Sequence, residues 1–278
     1  MIRVILQGRT GNNFFQYAAG RALAVKHSTS LILDGAWADQ ALKNQLDGLK
    51  RLPLAGAYRR AFPNAKRVLR KLGYDCVRLH RDTVFQEKSG PFDPAFKQLP
   101  DGTLLTGYFQ NPEYFKGIEP LLRKELDLSG IAMPASAARI ETLIQEAPTA
   151  SLHVRRGDYL NIGATQCLPE TYHQDAIRLL RDRHDGIRFC VFSDDIPWCR
   201  DHFKQPGFFF ADCPDAAGDP FIDLRLMAAC DHHIIVNSSY SWWGAWLNPD
   251  PEKIVVSPSL WMKNLPAEAV IPKEWIRI

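Results

Sequence analysis

Two adjacent arginines follow a short apolar run, in the order Leu152-His153-Val154-Arg155-Arg156-Gly157-Asp158-Tyr159. A guanidinium is a planar fork of N–H donors that fits phosphate oxygens two at a time. A glycine beside it lets the backbone come close to a ligand. Taken alone, the pattern suits an anion site and an arginine–aspartate surface turn with a packed histidine equally well. A second group, Asn237-Ser238-Ser239-Tyr240-Ser241, offers hydroxyls and amides where a helix starts, an arrangement that binds anions. Helix capping accounts for one of its serines and not for all three. A third, Phe192-Ser193-Asp194-Asp195, ends another apolar run with carboxylates that can take a ribose, a purine or a proton.

Two further features carry less chemistry by themselves. Asp223 sits inside a helical stretch, Asp219 to Cys230, where a lone acid is ordinarily solvated. Gly8-x-x-Gly11-Asn12 forms a glycine-rich turn that can cradle a phosphate or a sugar, but it lacks the third glycine of the dinucleotide fingerprint. Trp242, Trp243 and Trp246 follow the serine group at helical spacing, and core packing is their expected role. The sequence has no P-loop, no H-E-x-x-H, no G-x-S-x-G and no D-x-D metal-holding pair. Arginines can stabilise a leaving diphosphate electrostatically in a metal's place.

The elements that position these groups read as alternating strands and helices. Strands are expected at Arg3–Leu6, Leu31–Asp34, Leu104–Phe109, Ala150–Val154, Ile187–Phe192, His233–Val236 and Ile254–Ser257. Helices are expected over Asn13–His27, Tyr114–Leu126, Ala135–Glu146, Pro169–His184, Asp219–Cys230 and Ser241–Leu247. This alternation predicts parallel α/β structure with the polar groups at the ends of strands, where such sheets bind ligands. Pro148-Thr149 marks a boundary between domains 1–147 and 148–278, the tail being free to pack back on the first.

The 278 residues suffice for two domains of ordinary size, and 46% hydrophobic with 23% charged residues is globular. A net charge of +3 suits an anionic ligand and is too mild for nucleic acid. Six cysteines, Cys76, Cys167, Cys190, Cys199, Cys213 and Cys230, form no C-x-x-C pair, so free thiols in a reducing cytoplasm are expected. No cleavage pattern of a signal peptide and no long apolar span is read. The basic stretch Arg59, Arg60, Lys66, Arg67, Arg70 and Lys71 is read as a solvated face or a contact for a lipid-linked acceptor, with at most peripheral contact at the inner face of a membrane.

Together these motifs resemble the bacterial α-1,2-fucosyltransferases, of glycosyltransferase family 11 type. Gly8-x-x-Gly11-Asn12-x-x-Phe15-Gln16-Tyr17-Ala18 resembles that family's opening motif. His153 to Tyr159 resembles its signature, shared with α-1,6- and protein O-fucosyltransferases. Ser193-Asp194-Asp195 with Trp198, then Asp223 through Leu247, and the tail Ile271 to Ile276, resemble later blocks in the same order. Arg9-Thr10 and Asn13-Phe14 depart from the family's usual Gly-Leu and Gln-Met near the expected acceptor side.

The resemblance implies a GT-B-type α/β architecture, two Rossmann-like domains facing across a cleft, the second holding GDP-fucose. It implies that Arg155 contacts the β-phosphate with Ser238 and Ser239 beside it, and that Asn237 belongs to the donor-binding set. Asp223 would accept from guanine, with His153 and Asp194 beside the nucleotide. Gly11 and Asn12 would line the sugar end. Arg155, Arg156 and Asp158 are the expected catalytic residues, Asp158 being preferred over Asp195 as base. The implied reaction is inverting transfer of L-fucose from GDP-β-L-fucose to the 2-hydroxyl of a terminal β-galactoside, without a metal. Alternatives are an α-1,6 linkage on a chitin-type acceptor and a non-catalytic GDP-binding module.

Overall fold

The computed structural model describes residues 1–35, 49–59, 83–88, 91–157, 168–216, 218–262 and 265–278. Asp158, Tyr159 and the basic residues from Arg60 to Lys71 lie outside them. The chain forms two compact units, Met1–Asp127 and Leu128–Ile278.

The first unit is a parallel sheet in the order β3-β2-β1-β5-β4. Its strands are β1 (Ile2–Ile5), β2 (Leu31–Asp34), β3 (Ala57–Arg59), β4 (Thr83–Gln86) and β5 (Thr103–Thr106). Ile2, Val4, Leu33, Leu104 and Leu105 are buried, because strands covered on both faces take continuous apolar runs. Helix α1 (Thr10–Lys26) starts three residues earlier than its apolar spacing suggests, so Gly11 and Asn12 are helical. The turn before it requires Gly8, whose φ is +73°. Gln16, fully buried, donates through Nε2 to the carbonyls of Gln7 and Gly107. Its Oε1 accepts from Gln7 N–H, so this side chain ties the end of β1 to the segment after β5. Tyr17 donates to Glu125 Oε2 at 2.6 Å, and Arg21 grips both oxygens of the same carboxylate. Glu125 ends helix α2 (Glu119–Glu125). The predicted helix from Tyr114 is thus shorter, with a 3-10 turn at Pro112–Tyr114 before it.

The second unit holds a six-stranded parallel sheet in the order β13-β10-β9-β6-β7-β8. The strands are β6 (Thr149–Val154), β7 (Arg188–Ser193), β8 (Phe208–Phe210), β9 (His232–Ile234), β10 (Val255–Ser257) and β13 (Ile276–Arg277). A small antiparallel pair, β11 (Leu260–Met262) and β12 (Leu265–Pro266), stands apart. Counted from β6, the order is 3-2-1-4-5-6, the Rossmann arrangement, and its switch point lies between β6 and β9. The helices are α3 (Ala135–Gln145), α4 (Glu170–Arg181), α5 (Ile196–His202), α6 (Pro220–Ala229) and α7 (Ser239–Leu247). Ala150, Leu152 and Val154 pack under Tyr172, Ala176, Ile177 and Leu180 of α4. On the other face of β6, the Ser151 hydroxyl lies 2.9 Å from His233 Nδ1 and Asn248 Nδ2 lies 3.1 Å from His233 Nε2. Asn248 must donate there, so Nδ1 carries the proton and Ser151 accepts it. Burial first, then Lys253, pushes His233 down to about 3, which keeps the ring neutral.

Helix α3, which the sequence reading puts in the first domain, packs on α6 through Arg225, held to Glu141 at 3.1 Å. Trp242, Trp243 and Trp246 are core residues, as expected, and Trp242 donates to the Val270 carbonyl at 3.0 Å. Trp275 of the tail packs on Trp242, with ring centroids 5.4 Å apart. Gly244 lets α7 sit against α6: a Cβ there would lie 2.8 Å from Cβ and Sδ of Met227. Gly244→Val should therefore lower stability by about 1–3 kcal/mol, the usual penalty of an overpacked core. Thermal unfolding checks this, and an unchanged midpoint would show that α6 and α7 yield freely.

Candidate active site

Strands β6, β7 and β9 bring the three polar groups to one end of the sheet. Val154 pairs with Ser193, so Arg155 and Asp194 leave the sheet as neighbours. Arg155 Nη1 lies 2.9 Å from Asp194 Oδ2. The other oxygen, Oδ1, accepts the Arg156 N–H at 2.9 Å. A Cβ on Gly157 would lie 2.5 Å from Asp194 Oδ2. The glycine therefore admits this carboxylate, whereas the sequence suggested that it admits a ligand. Asp195 caps α5 by accepting from Trp198 N–H at 3.2 Å and pairs with Arg156 Nε at 3.3 Å. Pro in the first turn and the aspartate cap start this short helix.

Beyond these residues lies a pocket of about 220 Å³. Arg155, Arg156, His173, Trp198 and Asn237 line it, over an apolar floor of Val154, Leu168 and Val236. Ser238 is the N-cap of α7 and accepts from Tyr240 N–H at 3.3 Å, so capping claims one serine of the group. His173, which the sequence reading did not single out, donates through Nε2 to the His153 carbonyl at 3.3 Å. Burial pushes it down to about 4.

Behind the strand end, His153 is buried and its Nδ1 has no hydrogen-bond partner. Burial first, then the charge of Arg155, pushes it down to about 3, so it is neutral at pH 7. Its ring lies 6.1 Å from that of Tyr240, whose hydroxyl donates to the Pro220 carbonyl at the start of α6. Asp223, one turn into α6, is pushed up to about 7 by burial and by the nearby charge of Asp219. Among the described residues no donor is recorded on its carboxylate. A half-buried acid without donors is suited to a ligand that brings N–H groups. Asn12 lies in the first unit, where its Oδ1 accepts from Gln110 Nε2 at 2.7 Å, and Gly11 is buried in α1. Among the described residues no cluster of three or more His, Cys, Asp or Glu is placed to hold a metal ion, and no helix is long and apolar enough to cross a membrane.

The family profile of glycosyl transferase family 11 matches residues 89–278. The chain belongs to that family. An α-1,2-colitosyltransferase of Escherichia coli is 30% identical over 98% of this chain and 97% of its own. A galactoside α-(1,2)-fucosyltransferase 1 of Saimiri sciureus is 26% identical over 98% of this chain and 73% of its own. Among solved structures, the NodZ α-1,6-fucosyltransferase soaked with GDP-fucose matches with a TM-score of 0.50 at 14% identity, over 89% of this chain and 92% of that one. The heptosyltransferase II of E. coli matches with a TM-score of 0.50 at 14% identity, over 100% and 89%. At such identities the structural likeness concerns the fold, which is GT-B with two Rossmann-like units. The protein is a glycosyltransferase.

The Asp223 carboxyl has a folded pKa above the ordinary value of about 3.9, so ionising it opposes folding. The penalty is absent below about pH 4, grows as pH rises through about 7, and is constant above. Asp223→Asn should therefore raise stability by about 1–3 kcal/mol at pH 8 and leave it unchanged at pH 4. Urea unfolding at the two pH values measures this. A variant destabilised at pH 8 would mean that the carboxylate is paired inside the protein.

Proposed function

We propose that this protein transfers a deoxyhexosyl group, L-fucose in the first reading, from a GDP-linked donor to the 2-hydroxyl of a terminal β-galactoside. The observation that carries the proposal is the pairing, in one Rossmann unit, of an arginine-lined pocket with an acid on which no donor is recorded among the described residues. Arg155 and Arg156 line the pocket at the switch point, and Asp223 lies in the helix on the far side of His153 and Tyr240. A diphosphate needs the first, and the N–H edge of guanine fits the second.

The chemistry is a single displacement. The acceptor hydroxyl oxygen bonds to the anomeric carbon as the bond from that carbon to the β-phosphate oxygen breaks. GDP leaves with the electron pair, and the hydroxyl proton passes to a base. Arg155 and Arg156, with Asn237 lining the same pocket, stabilise the growing charge on the diphosphate, and Ser238 and Ser239 serve the same donor from the start of α7. Asp195 already accepts from the Trp198 N–H and from Arg156, which favours Asp158 as the base. His153 is neutral and offers Nδ1 to the nucleotide. Gly11 and Asn12 serve the sugar end, and neither donor binding nor turnover needs a metal ion. Asp194 acts on the donor through Arg155, which it holds in place.

A second reading of the donor is favoured by one finding. The relative matched over nearly the whole of both chains transfers colitose. Colitose is L-fucose without its 3-hydroxyl, and a site built to bond that hydroxyl rejects the sugar lacking it. GDP-fucose and GDP-colitose offered separately with lactose should give an α-linked product at the 2-hydroxyl, from one donor in large excess over the other. Product NMR reads the anomeric configuration and the attachment carbon, and EDTA should leave the rate unchanged. A β-linked product would overturn the displacement, linkage at another carbon would overturn the acceptor, and loss of activity restored only by added manganese would overturn metal independence.

Arg155→Lys should lower kcat by about 100- to 1000-fold, the cost of losing an oriented donor at a developing anion. Steady-state kinetics with saturating donor measures it. Activity within about threefold of the parent would remove Arg155 from the leaving-group site.

A further inference from the structure

Arg156 is held quite differently from Arg155. Its guanidinium carbon lies 3.8 Å from the centroid of the Trp198 ring. His202 stacks on the same indole, with centroids 3.6 Å apart and planes 19° apart. Two planar groups that close to one ring centre cannot share a face, so Trp198 is sandwiched between guanidinium and imidazole. The sandwich is locked from its edges. Asp195 takes the Arg156 Nε with one oxygen and the Trp198 N–H with the other. His202 Nδ1 lies 2.7 Å from the Trp198 carbonyl, one helical turn back.

A guanidinium has five N–H donors. Asp195 uses the one on Nε, and the indole covers a face. No hydrogen bond from Nη1 or Nη2 of Arg156 to the described residues is recorded, and Arg156 lines the pocket together with Arg155 and Asn237. Two parallel N–H groups on those nitrogens make the fork that a phosphate accepts.

We propose that Trp198 is a positioning residue, whose indole holds the Arg156 guanidinium flat so that its two terminal nitrogens face the pocket as a preorganised fork for the donor's diphosphate. The proposal rests on the reading of the pocket as a diphosphate site. It also assigns the indole a role distinct from sugar stacking, because both of its faces are taken. Preorganisation is where the gain lies: a long cationic side chain otherwise loses rotamer freedom on binding an anion.

The test compares Trp198→Phe, which keeps an aromatic face, with Trp198→Leu, which removes it. Each variant is first matched to the parent in thermal unfolding, and then titrated with GDP, guanosine and inorganic pyrophosphate by ligand-detected NMR. Trp198→Leu should weaken GDP and pyrophosphate by about 3- to 30-fold, the range of a cation–π contact, and leave guanosine unchanged. Trp198→Phe should retain most of the affinity. Unchanged GDP binding in Trp198→Leu overturns the proposal, as does equal weakening of guanosine, or a phenylalanine variant as damaged as the leucine one. A parent protein that binds pyrophosphate in a Trp198-dependent way without binding GDP would keep the fork and overturn the guanine reading instead. A parent that binds neither overturns both.

Discussion

The carboxylate of Asp194 is the constraint on which the end of the sheet depends. One oxygen fixes the Arg155 guanidinium and the other fixes the Arg156 backbone. The arrangement needs β6 and β7 in this register, because a shift of one residue would turn the acid to the other face of the sheet. It also needs glycine at 157, since any Cβ would occupy the space that the carboxylate fills. The acid thus holds a cationic group at a place where the fold gathers further positive potential from the N-terminus of α7. Two arginines and a helix start would repel one another without it. With both aspartates paired to arginines, charge is balanced locally at the end of the sheet.

Stability is surrendered a short distance away. His153 is buried with Nδ1 unbonded, and Asp223 is held with its carboxyl raised to about 7. Neither is what a protein selected for stability alone would keep, because a buried polar group without a partner costs free energy. Both lie on the face of β6 that looks toward α6 and α7, and Tyr240 stands between them, raised by burial and then by the charges of Asp223 and Asp219. Such local conflicts gather at functional sites, where a ligand resolves them.

Much of the second unit was legible in the sequence because its signals are local. The apolar run of β6, the Asp219-Pro220 start of α6 and the tryptophan-rich α7 can each be read from a few consecutive residues. Asp219 indeed caps α6 by accepting from Phe221 N–H at 3.0 Å. Arg155 and Asn237 line one pocket, since both follow adjacent strands of one parallel sheet. What escaped the sequence is what depends on register or on brevity. Strands β3, β8 and β13 have only two or three residues, too few for a period, and α5 has seven. The bond from Arg155 to Asp194 spans 39 residues and follows only once β6 and β7 are paired in the observed register. The stacking of Arg156 on Trp198 was equally invisible, although Trp198 stood in a recognised block, because nothing local distinguishes it from a core tryptophan.

The two arginines, adjacent in sequence, therefore differ in the part they can play. Arg155 is tied to Asp194 through Nη1, a nitrogen for which a phosphate oxygen would compete directly. Arg156 is held by its Nε edge and its flat face, neither of which a phosphate needs. Among the described residues no bond to Nη1 or Nη2 of Arg156 is recorded for an oxyanion to displace, whereas at Nη1 of Arg155 it meets the Asp194 carboxylate. Binding and catalysis draw on these differently, because an interaction that is complete in the ground state lowers the energy of bound donor and transition state alike. A contact that strengthens as the leaving group gains charge favours the transition state alone. If the pocket takes the diphosphate as proposed, both arginines would meet its growing charge, Arg155 in competition with Asp194 at Nη1 and Arg156 with its Nε edge and flat face already engaged.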